Sequence, residues 1–403
     1  MGLFQDLPLR RRVLVNWHAG AIAGKYSDPD FLIAALKTLG VGGIRMSACH
    51  LLQNQVAQEM VRRLAKEFPG GSIINILDPA VCGAKIADQV RAAAIAAASG
   101  AFMALESINE PDNAAPSPRT DASVLAFLQA GAIPLHASIV AEIAKYPVLS
   151  DLPIIGPSSA GTYQMMHHAM TGTNMPNTAA HNWHLYCETH PMEWLMAANP
   201  LWGQTFTADA TCPDWVCTEF GANSNPASIG AQGQNGTDEV TQGYLLASGI
   251  FSFVKAKAGI LALYEGVDRP QSNLWEASLG LYRADGSAKP AVSRIAELMS
   301  LIGDFAYRPD LAWKDLGISQ AAVPSGAIVM PFVRADGTPG NDGDNAAVVL
   351  SAAQVWNKDT GKAIAPAPLA QQVGLWRYPV AGSASVPTVP TDWVLPYPTV
   401  IRW

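Results

Sequence analysis

The chain has 403 residues, 49% of them hydrophobic and 15% charged, with a net charge of −7. This is enough apolar material for a large core, and it excludes a disordered polymer. The sole basic run is Arg10-Arg11-Arg12; phosphate binding needs a broader basic surface, so nucleic acid is not an expected partner.

The apolar stretch Ala92 to Leu105 is broken by Gly100, and Lys255 and Lys257 interrupt the one around Tyr244 to Tyr264. No membrane span is expected. The N-terminus lacks the order of a signal peptide, which fits either a cytoplasmic protein or one whose leader has been removed. The second, a secreted or periplasmic protein, is the preferred expectation, and a monomer is expected. Of the cysteines, Cys49 and Cys82 follow adjacent predicted strands, where a disulfide is geometrically possible; buried free thiols are the expected state.

Short β-branched runs alternate with amphipathic helical stretches through the first 300 residues or so, the pattern of parallel βαβ units. Val13 to Asn16 reads as the first strand. Asp28-Pro29 supplies a cap and a first-turn proline for a helix over Phe31 to Leu39, ended by Gly40. Gly43 to Met46 is the second strand, followed by a helix from Leu51 to Phe68. Ile73 to Leu77 is the third, followed by a helix from Ala84 to Ala98. Phe102 to Ile108 is the fourth, ending at Asn109-Glu110, with a long helical stretch behind it that breaks at Pro134. Pro153 to Gly156, His181 to Tyr186, Trp215 to Glu219 and Ile260 to Tyr264 complete the strands. Helices follow over Glu239 to Ala258 and Pro290 to Leu301. Eight such units predict a closed (β/α)8 barrel. A doubly wound sheet would want a Gly-rich turn after the first strand, where Asn16-Trp17-His18 stands instead. From Phe305 onward, β runs alternate with Gly/Pro/Asp turns. The expected organisation is a barrel over 1–304 and a small all-β, sandwich-like accessory domain over 305–403.

In such barrels the site lies at the C-terminal ends of the strands. Glu110 and Glu219 stand at two of those ends, and paired carboxylates facing one pocket are the equipment for glycosidic cleavage. Glu110 would protonate the departing oxygen; Glu219, kept ionised, would attack the anomeric carbon. Arg45 and Tyr186 end neighbouring strands and are candidates to hold Glu219, while Asn109 is a candidate for a sugar hydroxyl.

These residues resemble those of clan A of the glycoside hydrolases. The likeness rests on Ile44-Arg45, Asn109-Glu110-Pro111, Ile155-Gly156-Pro157, His184-Leu185-Tyr186 and Thr218-Glu219-Phe220-Gly221. It continues through Tyr264-Glu265-Gly266-Val267-Asp268, Gly280-Leu281-Tyr282 and Lys289-Pro290-Ala291. It is nearest to the cellulase-like family five and the xylosidase-like family thirty-nine. The resemblance implies a retaining hydrolase of β-linked oligo- or polysaccharides, with Glu110 as acid/base and Glu219 as nucleophile. Arg45, Asn109, His184 and Tyr186 would support them, and no cofactor is implied. Two positions depart from the clan: Tyr264-Glu265 replace the Trp that often ends strand eight, and Ser107-Ile108 stand where a Trp often precedes Asn-Glu-Pro.

Trp17, Trp275 and, less favourably placed, Trp183 are candidates to stack on sugar. His18, Asp78 and Glu276 are candidates to line the pocket. His167-His168, His181, His184 and His190 lack a metal-ligand spacing, so no metal is expected. Ser158 and Ser159 lack a nucleophile elbow. The alternatives are a carbohydrate-binding barrel without catalysis and a transglycosylase using the same covalent intermediate.

Overall fold

The fold is that of a computed structural model describing residues 2–20, 22–160, 177–186, 214–228, 236–269, 275–311, 328–339, 341, 343–350, 356–357, 362–363, 375–377 and 399–402. Eight strands pair in chain order as one closed barrel. They are β1 (Val13–Asn16), β2 (Gly43–Ser47), β3 (Ile73–Ile76), β4 (Phe102–Glu106), β5 (Ile154–Ser159), β6 (Ala180–Tyr186), β7 (Trp215–Gly221) and β8 (Leu261–Leu263). All pairings are parallel, and β8 closes on β1 with Leu14 beside Ala262. The expected (β/α)8 barrel is therefore present.

The helices show how local chemistry sets their ends. In the helix Pro29–Leu39 the Asp28 side chain accepts from Phe31 N, and Gly40 closes the helix at φ 71°, where a side chain would be strained. The predicted Leu51–Phe68 helix is two, Ala48–Gln53 and Gln55–Glu67, because Asn54 adopts an extended backbone and caps the second through Ala57 N. The predicted Ala84–Ala98 helix is Ile86–Ala97, preceded by a one-turn helix, Pro79–Cys82. The break placed at Pro134 lies instead at Gly131, between Asp121–Ala130 and Ala132–Ile143. Pro134 sits within the first turn of the second helix, where its missing N–H costs nothing. The stretch Ala122–Ile143 is long and apolar enough by composition to cross a membrane, a feature the sequence reading missed; Val124, Leu128, Ile139 and Ile143 bury against the barrel core.

Alternation along the strands builds two cores. Val13 and Val15 face the surrounding helices, while Leu14 joins Ile74, Ala104, Ile155, Val216 and Ala262 inside the barrel. Leu3, Phe4 and Leu7 pack against that inner cluster. Two residues further along three of these strands the inward positions turn polar: Leu14 is succeeded by Asn16, Ala104 by Glu106 and Val216 by Thr218, all buried. The floor of the site is this change of chemistry within one strand repeat.

The C-terminal segments form β9 (Phe305–Tyr307), β10 (Ile328–Arg334), β11 (Asn345–Leu350), β12 (Trp356–Asn357), β13 (Lys362–Ala363), β14 (Leu375–Arg377) and β15 (Thr399–Arg402). Five make a sheet in the order β14-β15-β11-β10-β9, antiparallel except for β14–β15, and β12–β13 is a separate two-stranded ladder. Phe332 packs on Phe251 of the helix Glu239–Lys255 with ring centroids 6.1 Å apart, joining this sheet to the barrel core.

Cys49 and Cys82 are joined as a disulfide with a Cα–Cα separation of 6.0 Å. This overturns the expectation of free thiols. The two short helices that follow β2 and β3 bring the side chains together, a proximity that sequence separation alone does not report.

Candidate active site

Arg45, inward-facing on β2, is the centre of the site. Its Nε and Nη2 donate to Glu106 Oε2 (2.7 Å) and Oε1 (2.6 Å), a bidentate pair across the barrel. Nη1 donates to Glu219 Oε1 at 2.6 Å and to Asn16 Oδ1 at 2.9 Å; Nη2 also donates to Asn109 Oδ1 at 2.8 Å. Burial disfavours the guanidinium charge, but Glu106 and Glu219 outweigh that and raise its pKa, so it is a permanent cation.

Glu219 reaches the site because β7 is irregular. The register against β6 slips so that Trp183 faces Cys217 and His184 faces Glu219, leaving Thr218 as an extra residue. The pairing with β8 slips in the same region. Such bulges re-aim side chains, and here both Thr218 and Glu219 serve the pocket. Glu219 Oε2 accepts from Tyr186 OH at 2.6 Å. Burial opposes its ionisation most strongly, yet His184 and Arg45 together with the Tyr186 and Arg45 hydrogen bonds hold the carboxyl below the usual range. Burial and the neighbouring Glu219 push the Tyr186 phenol well up, so it remains a donor.

Glu110 lies beyond β4, which ends at Glu106 rather than at Ile108 as predicted. Its backbone is left-handed, φ 46°, a conformation that costs a non-glycine residue about 1–2 kcal/mol. Neighbours hold it there: Glu110 N donates to Ser158 Oγ at 3.0 Å, and Asn109 N donates to Asp78 Oδ2 at 2.8 Å. Asn113 Nδ2 donates to Glu110 Oε2 at 2.8 Å, and Glu110 Oε1 lies 2.6 Å from His184 Nδ1.

His184 is fully buried between the two carboxylates, its Nδ1 also 3.4 Å from Glu219 Oε2. Its Nε2 lies 3.0 Å from Thr218 Oγ1, whose own proton goes to Asn182 Oδ1 at 2.9 Å. Nδ1 thus faces carboxylate acceptors, which favour the charged imidazolium, while Nε2 faces both the Thr218 hydroxyl and, at 3.4 Å, the Arg45 Nη2 donor. Burial works against that charge, but Glu219 and Glu110 raise the pKa.

Beside this centre, Tyr264, Trp275 and Tyr186 form an aromatic wall, with Tyr186 centroids 5.9 Å from Tyr264 and 6.5 Å from Trp275. Glu265, fully buried, accepts from His18 Nε2 (2.9 Å), Tyr26 OH (2.8 Å) and Arg269 Nε (2.8 Å). Arg269 also donates to Tyr264 OH at 2.7 Å and pairs with Glu276. His18 keeps about a quarter of its side chain exposed and Glu276 about a third, so these two are the accessible members of this group.

Several predicted pocket residues are elsewhere. Trp17 is buried against Tyr26 (5.1 Å between centroids) and Phe31, and Trp183 lies in the core between barrel and helices, so both pack the core and neither offers a free face to a sugar. Asp78 is buried and bound to backbone N–H groups, not open to sugar; burial pushes its carboxyl up. His167, His168 and His190 fall outside the described residues. Glu106 was not singled out from the sequence, and Asn16 and Thr218 were quoted within motifs without a role, although each lies two residues beyond an inner-core residue.

Among the described residues, the one grouping spaced for a metal ion is Glu110, His184 and Glu219, with one ligand atom of each within 4.8 Å of the others. The fit is poor: Arg45 and Tyr186 occupy the Glu219 oxygens, and the guanidinium would repel a cation there.

No protein-family model and no curated protein matches the sequence. Solved structures do match. A family 39 glycoside hydrolase from the gut symbiont Bacteroides cellulosilyticus WH2 aligns at a TM-score of 0.55 and 15% identity, over 87% of this chain and 72% of that one. The GH39 enzyme from Xanthomonas axonopodis pv. citri aligns at 0.53 and 14%, over 86% and 71%. At such identities the likeness is one of fold, and this chain shares the (β/α)8 architecture of these family 39 glycoside hydrolases.

Proposed function

We propose that the protein is a retaining glycoside hydrolase acting on β-linked oligo- or polysaccharides. The observation that carries this reading is that one oxygen of Glu110 lies within 4.8 Å of one oxygen of Glu219, with His184 Nδ1 reaching both carboxylates at 2.6 and 3.4 Å. Retaining enzymes hold their carboxyl groups about 5–5.5 Å apart, whereas inverting ones leave about 6.5–9.5 Å for a water. The two carboxylates also differ as the chemistry requires. Glu219 is bound by two strong donors and kept ionised, the state of a nucleophile. Glu110 is more open, with a proton within reach on the His184 line.

Glu219 attacks the anomeric carbon while Glu110 passes a proton to the departing oxygen. Glu110 then takes a proton from the water that releases the sugar. Arg45 fixes Asn109 Oδ1, which leaves the Asn109 amide NH2 to bind the hydroxyl next to the anomeric carbon. Tyr264, Trp275 and His18 bound the sugar site, with the buried Glu265 behind them holding His18. The activity resides in residues 1–304, with 305–403 as an accessory domain.

The test is the stereochemistry of the first-formed product. Hydrolysis of an aryl β-glycoside followed by proton NMR is expected to give the β-anomer first, with the α-anomer appearing only by mutarotation. An α-anomer formed first means inversion and overturns the proposal.

A further inference from the structure

The disulfide lies outside the catalytic centre but is connected to it. Cys49 follows β2, the strand carrying Arg45, and Cys82 ends the one-turn helix Pro79–Cys82 after β3. That turn buries none of its own side chains, so apolar packing does little to hold it. Two things anchor it. One is the disulfide, whose Cys49 sulfur lies 3.7 Å from the Asp78 carbonyl oxygen. The other is Asp78, whose Oδ1 accepts from Ala80 N at 2.8 Å and caps the turn. The remaining oxygen of Asp78 accepts from Asn109 N at 2.8 Å, one residue before Glu110. Asp78 N in turn donates to Gln89 Oε1 at 2.9 Å.

We propose that the Cys49–Cys82 disulfide is a redox-sensitive clamp that positions Asn109 and Glu110 through Asp78. Oxidised, it pins the turn against the helix Ala48–Gln53 that follows β2 and keeps Asp78 aimed at Asn109 N–H. Reduction by a dithiol leaves Cys49 and Cys82 as thiols and the reductant as its cyclic disulfide, transferring two electrons and two protons. Cys49 is buried and Cys82 half-buried, so the attack falls on the Cys82 sulfur. The freed turn no longer fixes the Asp78 carboxylate through Ala80 N, and Asp78 is then held by its own N–H on Gln89. The left-handed backbone of Glu110 then loses the support of its neighbour's N–H and keeps the bonds from its own N–H to Ser158 and from Asn113 N to its carbonyl. Asp78 acts here as a positioning residue, and its effect on catalysis rests on the hydrolase reading above.

The experiment compares the oxidised full chain, the same protein reduced with dithiothreitol, Cys82→Ser and Asp78→Asn. Thiol titration and thermal melting establish that each is reduced or oxidised as intended and folded at the assay temperature. With an aryl β-glycoside, kcat is expected to fall about tenfold or more in all three altered forms, because small misplacements of reacting groups carry such losses. KM should stay within about threefold, and reoxidation should restore kcat in the unsubstituted protein only. A lower melting temperature with unchanged kcat would reduce the disulfide to a structural staple and overturn the proposal. Hydrogen exchange at the Asn109 amide is the independent readout. Its rate should rise about tenfold or more on reduction and in Asp78→Asn as the hydrogen bond opens. An unchanged rate overturns the clamp even if the oxidised protein cleaves no glycoside, a result that would count against the hydrolase reading alone.

Discussion

Arg45 uses its guanidinium to hold Glu106, Glu219, Asn16 and Asn109 in one buried layer. Its charge lies between two carboxylates, so Glu219 can be buried and still ionised, which burial alone would prevent. The ionised Glu219 carboxylate therefore depends on a preorganised cation and a phenol. Glu219→Gln keeps the shape and removes the charge. It is expected to lower kcat by about 10³-fold or more on an aryl glycoside while circular dichroism and the melting transition persist. Full turnover in that variant would remove Glu219 from the mechanism. Glu219, Arg45 and Tyr186 were legible because each stands in or at the end of a short β-branched or aromatic run, although only Tyr186 ends its strand in the structure. Glu106 was not, because a carboxylate inside a strand declares itself only once its partner across the barrel is known.

At the scale of elements, the bulge in β7 and the helix behind it decide where Glu219 points. Gly249, in the helix Glu239–Lys255, lies where a Cβ would come within 2.2 Å of the Phe220 ring. The helix can dock on β7 only because that Cβ is missing. Gly249→Ala forces Phe220, the neighbour of Glu219, to shift. The expected cost is about 1–3 kcal/mol of stability, read as a lower urea midpoint, together with a several-fold loss of kcat/KM. A midpoint equal to that of the unsubstituted protein would show that the ring yields freely and the contact matters little. The same scale explains the misplaced helix boundaries. Asn54 and Gly131 ended helices where the apolar pattern ran on, since a cap or a backbone turn acts at one residue and periodicity averages over many.

For the whole molecule, pH links the site to stability. His50 is buried beside His18, with ring centroids 6.4 Å apart. Burial first, and the His18 charge second, lower its pKa from 6.5 to about 4. The unfolded chain therefore takes up this proton before the folded one does. The stabilisation from neutral His50 is complete above the unfolded value and is lost as pH falls toward the folded value, amounting to about 3 kcal/mol. His184 runs the other way: its raised pKa gives stability present below the unfolded value and lost as pH rises through the folded one. Glu219, lowered, stabilises above the ordinary carboxylate range and loses that contribution as pH falls through its folded value. Urea unfolding of His50→Gln should show a shallower decline of stability between about pH 6.5 and 4 than the unsubstituted protein. Equal slopes would mean that His50 titrates normally in the folded state.

The amino-acid sequence by itself determined the (β/α)8 class, the order of the strands and the ends at which Glu110 and Glu219 stand. These follow from local patterns: β-branched runs, caps, and the period of apolar residues. Only the tertiary structure decided which side chains meet. It buried Trp17 and Trp183 in the core, turned Asp78 from a pocket candidate into a backbone anchor, joined Cys49 to Cys82, and set Glu106 opposite Arg45. The reason is geometric: contacts across a closed barrel depend on strand register and bulges, and a slip of one residue exchanges the inward for the outward set.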